Sequence, residues 1–246
     1  MLGLNTESKR PLVAIVALLA IVISVWAIFS TRQSPRTAMN NQALKGLGEA
    51  LAQEAVKAVG DHGQIVLVVN YVDKSGGSGA PGQRGDRRAF AEYAALLQTQ
   101  LDGFKNGLRA HPGVVVAATE RVELGLAPEE EKAKGMDAHS SYFALATKYP
   151  NADAIVSLID APNLDPEDLR RLPTRLPKII TVSNIPGVPN LRRLFAAGVL
   201  HTAILPRWEQ PPETAKPRTP AEWFARNFII VTPATIDRLP PPPVLN

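Results

Sequence analysis

At 246 residues the chain has room for one sizeable domain with appendages. Its 27 basic and 23 acidic residues leave a formal charge of +4, and no stretch concentrates Lys and Arg among aromatics, so nucleic acid is not expected as a partner. There is no cysteine, which excludes disulfides, thiolate metal ligands, cysteine nucleophiles and a lipid-modified N-terminal cysteine.

Residues 1–10 are expected as a short cytoplasmic N-terminus. Residues 11–30, PLVAIVALLAIVISVWAIFS, carry no charge and match the roughly 20 residues that a helix needs to cross a hydrocarbon core. Pro11 suits a first helical turn, and Trp26 falls near the far interface. The apolar run is longer than that of a cleaved signal peptide, and WAIFSTRQ lacks a clean small-x-small pair before a cut. The segment is therefore expected to remain as a single-pass anchor in the lipid bilayer. Lys9 and Arg10 before it and Arg32 and Arg36 after it nearly cancel under the positive-inside rule. The orientation adopted is the usual one for an N-terminal signal anchor, with the bulk of the chain outside. In a bacterium that places it on the periplasmic side of the inner membrane.

Residues 31–63 read as a polar tether and a leading helix, with Leu44, Leu47, Leu51, Ala55 and Val59 at helical spacing and Gly60 as the stop. Residues 64–206 then alternate. Ile65–Asn70 is a continuous apolar run, expected as a strand buried on both faces. Arg88–Ala110 is helical, and Val114–Thr119 is a second strand. A helix is expected from Pro128 to Lys148, with Pro128 in its first turn and Glu129, Glu130 and Glu131 at the positive end of its dipole. Ala154–Ile159 is the third strand. DPEDLRRL is a short helix capped by Asp165, and Lys178–Ser183 is the fourth strand. PNLRRLFAAG is a helix ended by Gly198, and Val199–Leu205 is the fifth strand. Strands separated by such helices imply right-handed crossovers. The expected class is α/β, a doubly wound and mainly parallel sheet of order 2-1-3-4-5. Residues 207–246 hold a proline-rich excursion, a closing strand at Phe228–Thr232 and an extended tail, RLPPPPVLN.

The loop after the first strand contains Gly77, Gly79 and Gly82 at G-x-G-x-x-G spacing. A dinucleotide fingerprint needs its first glycine close to the strand and its last inside the helix start. Here Tyr71 to Gly76 intervene first, and Pro81 and Gly85 delay the helix. The phosphate-loop pattern fails as well, since Gln83 and Arg84 follow Gly82. The loop reads as a surface connection. His62, His111, His139 and His201 show no metal-ligand spacing, and there is no G-x-S-x-G. No catalytic residue, metal ligand or cofactor is expected, and the chain is not expected to be an enzyme. In an open parallel sheet a ligand binds beyond the carboxyl ends of the strands. That edge collects Asn70, Tyr71, Asp73, Asp160, Asn184 and Arg207 as candidates for a small polar ligand, with Glu120 nearby. The same residue types also cap turns and helix starts.

Three stretches carry a family resemblance: LQTQLDGFKNGLRAHPGVVV, then NADAIVSLIDAPN, then LPKIITVS. With Gly103-Phe104 in the helix after the first strand and Asp153-Ala154-Ile155 opening the third strand, they resemble the first lobe of type 1 periplasmic binding proteins. This is the sugar-binding group whose fold also serves as the ligand domain of LacI-like repressors. LRRLFAAGVLHTAILPR and FIIVTPATIDRL resemble fragments near the end of that family's second lobe. The resemblance implies one α/β lobe with a reduced second one; the aromatic residues that would stack on a sugar are not evident at the strand ends, where Tyr71 and Trp208 are the only candidates. Two expectations follow. One is a non-catalytic interaction or accessory subunit of an envelope membrane complex, with protein partners. The other is a tethered solute-binding or sensory domain for a sugar-like ligand.

Overall fold

Ile65, Val66, Leu67 and Val68 are all buried, and they alternate between two separate apolar clusters, one on each side of a sheet. The computed structural model describes residues 35–71, 84–123, 144–161, 164, 166–170, 175–183, 187–207 and 217–239. The chain divides into two compact units, residues 1–40 and 41–246. Of the first, only residues 35–40 are described, and they are helical.

The elements run α1 (Pro35–Val59), β1 (Gly63–Tyr71), α2 (Arg84–Leu108), β2 (Val114–Glu123), β3 (Ala154–Ser157), α3 (Pro166–Arg170), β4 (Lys178–Val182), α4 (Val188–Ala196), β5 (Leu200–Pro206), α5 (Pro220–Asn227) and β6 (Phe228–Val231), with a 3-10 turn at Ile236–Arg238. They form a six-stranded sheet of order β2-β1-β3-β4-β5-β6. The first five strands are parallel, and β6 returns antiparallel to β5. This is the expected 2-1-3-4-5 order with the closing strand on its edge.

One face is covered by α1, α2 and α5. Leu47, Leu51 and Ala55 of α1 and Phe104 of α2 cluster with Ile65, Leu67, Val156, Ile180 and Ile204, and Phe224 and Phe228 pack against them. Phe224 and Phe228 also stack on each other at 5.7 Å. The other face is covered by α4 and the 3-10 turn, with Leu191, Leu194, Phe195 and Ile236 against Val66, Ile155, Ile179 and Leu205. The period of two along each strand produces this division. A bulge between Ile65 and Val66 leaves Ala117 without a partner in the β1–β2 register. Val114 and Val116 accordingly join the first cluster, whereas Ala118 packs on the second.

Two glycines end helices as the sequence suggests. Gly60 has φ +83° and Gly198 φ +71°, the left-handed region open to glycine at little cost. At the end of α4 the Val199 amide donates to the Leu194 carbonyl (2.9 Å) and the Gly198 amide to Phe195 (3.0 Å), the paired bonds that satisfy the last carbonyls of a helix. The start of α5 has a cap not foreseen in the sequence. Thr219 Oγ1 accepts from the Glu222 amide (3.2 Å), while Glu222 Oε2 accepts from the Arg218 amide (2.7 Å).

Other features differ from expectation. β2 runs on through Glu120 to Glu123, well past its apolar residues, because β1 supplies backbone partners up to Tyr71↔Glu123. β3 ends at Ser157, two residues short of the expected Ile159, and β4 at Val182, one short of the expected Ser183. The stretches that resemble the end of a second lobe form α4, β5 and β6 of this same sheet. Of the helix expected over 128–148, residues 144–148 are described and helical; Pro128 and Glu129–Glu131 lie outside the described residues. So do Asp165, the glycine-rich loop, the proline-rich stretch 208–216 and the tail. No helix among the described residues is long and apolar enough to cross a membrane. The stretch read as an anchor, 11–30, lies outside them.

Glycine also sets how closely α1 approaches α2. A Cβ on Gly103 would stand 2.2 Å from the Lys45 carbonyl oxygen, whereas one on Gly198 would meet nothing within 4 Å. Gly103→Ala is expected to force the two helix backbones apart and cost about 2–3 kcal/mol or more, by overpacking. Gly198→Ala is expected to cost about 1 kcal/mol, through its backbone conformation alone. Urea denaturation of the two variants checks the order, and equal losses would contradict it.

Candidate functional site

The amino edge of the sheet is tied by Asp153. Its Oδ2 accepts from the Gln64 amide (2.8 Å), its own amide donates to the Gln64 carbonyl (2.9 Å), and its carbonyl accepts from the Lys178 amide (3.0 Å). The Asp153-Ala154-Ile155 segment therefore aligns the starts of β1, β3 and β4. Lys178 Nζ in turn donates to the Ala58 carbonyl, which ties the last turn of α1 to the same edge.

At the carboxyl edge Asp160 follows β3 and Ser183 follows β4. Ser183 Oγ donates to Asp160 Oδ1 (2.5 Å), and the same oxygen accepts from the Ala161 amide (2.8 Å). Asp160 is exposed and Ser183 is buried. Beneath them Thr181 Oγ1 donates to the Ile159 carbonyl (2.9 Å), and Ser157 Oγ lies 3.1 Å from that carbonyl and 3.2 Å from the Ile159 amide. Both hydroxyls belong to fully buried residues. They fix the backbone on which Asp160 is carried. The arrangement offers an exposed carboxylate on a rigid strand end, bonded to a neighbouring hydroxyl. It can accept strong, charge-assisted bonds from ligand hydroxyls or amides.

The six expected ligand residues divide as follows. Asn70 and Tyr71 end β1 at the carboxyl edge, and their side chains lie outside the described residues. Asp73 and Asn184 also lie outside them. Asp160 stands at the edge beside Ser183. Arg207 follows β5, but its Nε donates to the carbonyls of Ala225 (3.0 Å) and Phe228 (2.9 Å), and its amide donates to Asn227 (2.7 Å). It braces the corner where α5 turns into β6. Ser183 is not among the residues that the sequence singles out. The signal for it is positional, since it stands at the end of its strand as Asp160 does in the neighbouring one.

Glu120 lies within β2 and accepts from Lys148 Nζ (2.7 Å) and from the Tyr149 hydroxyl. These two bonds, helped by the Lys148 charge, hold its carboxyl below the usual range against the opposing effect of burial, and the interactions with Glu120 and then Tyr149 raise Lys148. The cluster ties β2 to the segment before β3. Beside it a cavity of about 170 Å³ is lined by residues that include Gln64, Ala117, Lys148, Tyr149 and Asn151. It is smaller than the roughly 300–1,000 Å³ of ordinary ligand pockets and lies away from the carboxyl edge. Burial, followed by the Lys178 charge, depresses His201, with Glu54 opposing. Among the described residues no group of acidic residues and histidines is placed to hold a metal ion.

No protein-family model and no curated protein matches the chain. Solved structures do resemble it. An arabinose-bound solute-binding protein from Burkholderia graminis is 14% identical, with 78% of this chain and 60% of that chain covered and a TM-score of 0.46. An arabinose-binding protein from Geobacillus stearothermophilus is 13% identical over 79% and 62%, at 0.47. A LacI-type regulator from Bacteroides fragilis is 12% identical over 80% and 62%, at 0.46. These structures are of the same kind that the sequence resembles. The chain spans about 60% of their length.

The Glu120 cluster sets a pH dependence. A carboxyl lowered on folding stabilises the fold above its ordinary value of 4.5, and that contribution is lost as pH falls through the lower folded value. Glu120→Gln is expected to be less stable than the parent at pH 7. The gap should narrow in denaturation midpoints measured progressively below pH 4.5. A gap constant from pH 7 to pH 3 would contradict this account.

Proposed function

We propose that the chain is a membrane-anchored, extracytoplasmic and non-catalytic binding domain whose carboxyl edge takes a small, hydroxyl-rich, sugar-like solute. The observation that carries this reading is the Asp160–Ser183 pair, bonded at 2.5 Å on adjacent strand ends. An exposed carboxylate next to a hydroxyl, both mounted on a dry and rigid sheet, is suited to ligand hydroxyls. In an open parallel sheet this is also the edge where ligands sit. The uncharged stretch 11–30 supports the anchor. The sequence resemblance to periplasmic sugar-binding proteins points to the same class of solute. Asn70, Tyr71, Asp73 and Asn184 are proposed as further ligand contacts, and no catalytic residue, metal or cofactor is assigned.

A second reading has its own observation. The six strands make one sheet, which presents one wall to a ligand, whereas small-ligand sites enclose most of the ligand surface. A partner that supplies the second wall makes the chain an accessory subunit of an envelope membrane complex.

Calorimetric titration of the full chain in mild detergent, with a panel of pentoses and hexoses, tests the first reading. Binding of one sugar is expected, and Asp160→Asn should weaken it at least about tenfold, the scale of a lost charge-assisted bond. A parent chain that binds none of the panel would overturn the solute reading. The second reading then stands or falls on co-purification of a partner at fixed stoichiometry from detergent-solubilised membranes.

A further inference from the structure

The cavity beside Glu120 sits at the amino end of the sheet, between the start of β1 and the segment that leads into β3. The Ala152 amide donates to the Tyr149 carbonyl (3.0 Å), which closes a turn with Pro150 second and Asn151 third. Proline suits that second position because its φ is already fixed. The turn is held at both ends. The Tyr149 hydroxyl donates to Glu120 of β2, and Asp153, just after the turn, exchanges bonds with Gln64 of β1 (2.8 and 2.9 Å). Gln64 and Val66 lie on one face of β1 by the strand period of two, and both line the cavity. Its floor is apolar, since Val66 and Ala152 are buried. Its rim carries Gln64 and Asn151, both exposed. Neither carboxamide has a hydrogen-bond partner among the described residues. Ala117 stands out of the β1–β2 register, so its backbone is released from the ladder, and its methyl group leaves the space open. Lys148, the charged residue of the lining, is matched by Glu120 at 2.7 Å. The volume of about 170 Å³ holds several water-sized groups but no drug-sized ligand.

We propose that this cavity is a second binding site, and that it takes a small neutral amide on the scale of acetamide. Such a molecule carries one carbonyl acceptor and N–H donors, and each carboxamide on the rim offers the complementary set. An anion would meet the carboxylates of Glu120 and Asp153 close by, and a cation would meet the Lys148 ammonium. The apolar end of the amide rests on Val66 and Ala152. Both carboxamides stand on backbone that is already fixed, one by the bonds between Gln64 and Asp153 and the other by the turn. That lowers the ordering cost of binding. The site lies at the opposite end of the strands from Asp160 and does not depend on the sugar-like solute reading.

Saturation-transfer NMR of the full chain in mild detergent, with empty micelles as the blank, tests this with acetamide, acetate and methylammonium as probes. Acetamide is expected to bind in the millimolar range, the scale for so small a ligand, and at least about tenfold more tightly than either ion. Gln64→Leu and Asn151→Leu each remove one carboxamide at similar volume and are each expected to weaken acetamide about fivefold. Ala117→Leu fills the space and is expected to abolish binding. The proposal is overturned by a parent chain that transfers nothing to acetamide, by equal transfer to all three probes, or by undiminished binding in Ala117→Leu. Should that variant fail to fold, the double variant Gln64→Leu, Asn151→Leu takes its place, and acetamide binding at parent strength there overturns the proposal.

Discussion

The backbone of α1 touches the backbone of α2. A Cβ on Gly48 would lie 2.0 Å from the Gln100 carbonyl oxygen, one on Gly103 2.2 Å from that of Lys45, and one on Gly107 2.7 Å from the Ala52 Cβ. No larger residue fits at this crossing unless the helices separate. The reason for such a close approach lies in the sheet. Its central strands bury apolar side chains on both faces, so each face must be roofed. On the first face the roof is α1, α2 and α5, and α1 lies between the other two. It brings Leu47, Leu51, Ala52 and Ala55 over Ile65, Leu67 and Val156 only because the glycines admit it. Burial of those side chains follows from the crossing.

The close approach leaves polar groups under the roof. Gln100 is 4% exposed, and its Nε2 has no hydrogen-bond partner among the described residues. Glu54 is also buried, yet it reaches the largely exposed ammonium of Lys57 at 2.6 Å. An unsatisfied buried amide costs about 1–3 kcal/mol. The apolar area closed by the same crossing outweighs it, at about 25 cal/mol per Å², since Leu51, Ala52, Ala55 and Phe104 are all fully buried there. α1 is thus held by shape and apolar contact more than by polar bonds.

Much of this was legible in the sequence, for physical reasons that can be named. Strands buried on both faces announce themselves as unbroken apolar runs, and β1, β3, β4 and β5 were found that way. Gly60 and Gly198 were recognised as helix ends because the left-handed conformation belongs to glycine. Asp153 enters the sequence reading only through the resemblance, because its bonds to three backbone partners exist only when β1, β3 and β4 lie side by side. Glu120 shows the opposite limit. Its position suggested a free carboxylate near a strand end, whereas β2 continues past it, and Lys148 and Tyr149, almost thirty residues away, occupy it. Arg207 likewise reads as a ligand residue in the sequence, while its guanidinium Nε is spent on two backbone carbonyls. Pairings across such distances leave no local trace, because nothing near Glu120 or Arg207 in the chain reports what folding brings to them.

The carboxyl edge carries the remaining argument. Ser157 and Thr181 are buried hydroxyls at positions where apolar residues would pack equally well, and both turn to the backbone of Ile159. A purely structural strand end has little need of them, because the ladder already continues through the Leu158 and Ser183 amides to Val68 and Ile204. Their effect is to hold the peptide just before Asp160 in one place. Holding the segment before a carboxylate restricts where that carboxylate can stand, and the Ser183 bond then fixes its direction. Precision of that kind lowers the ordering cost of any molecule that docks on Asp160. Here buried polar side chains position an exposed charge rather than seal a gap.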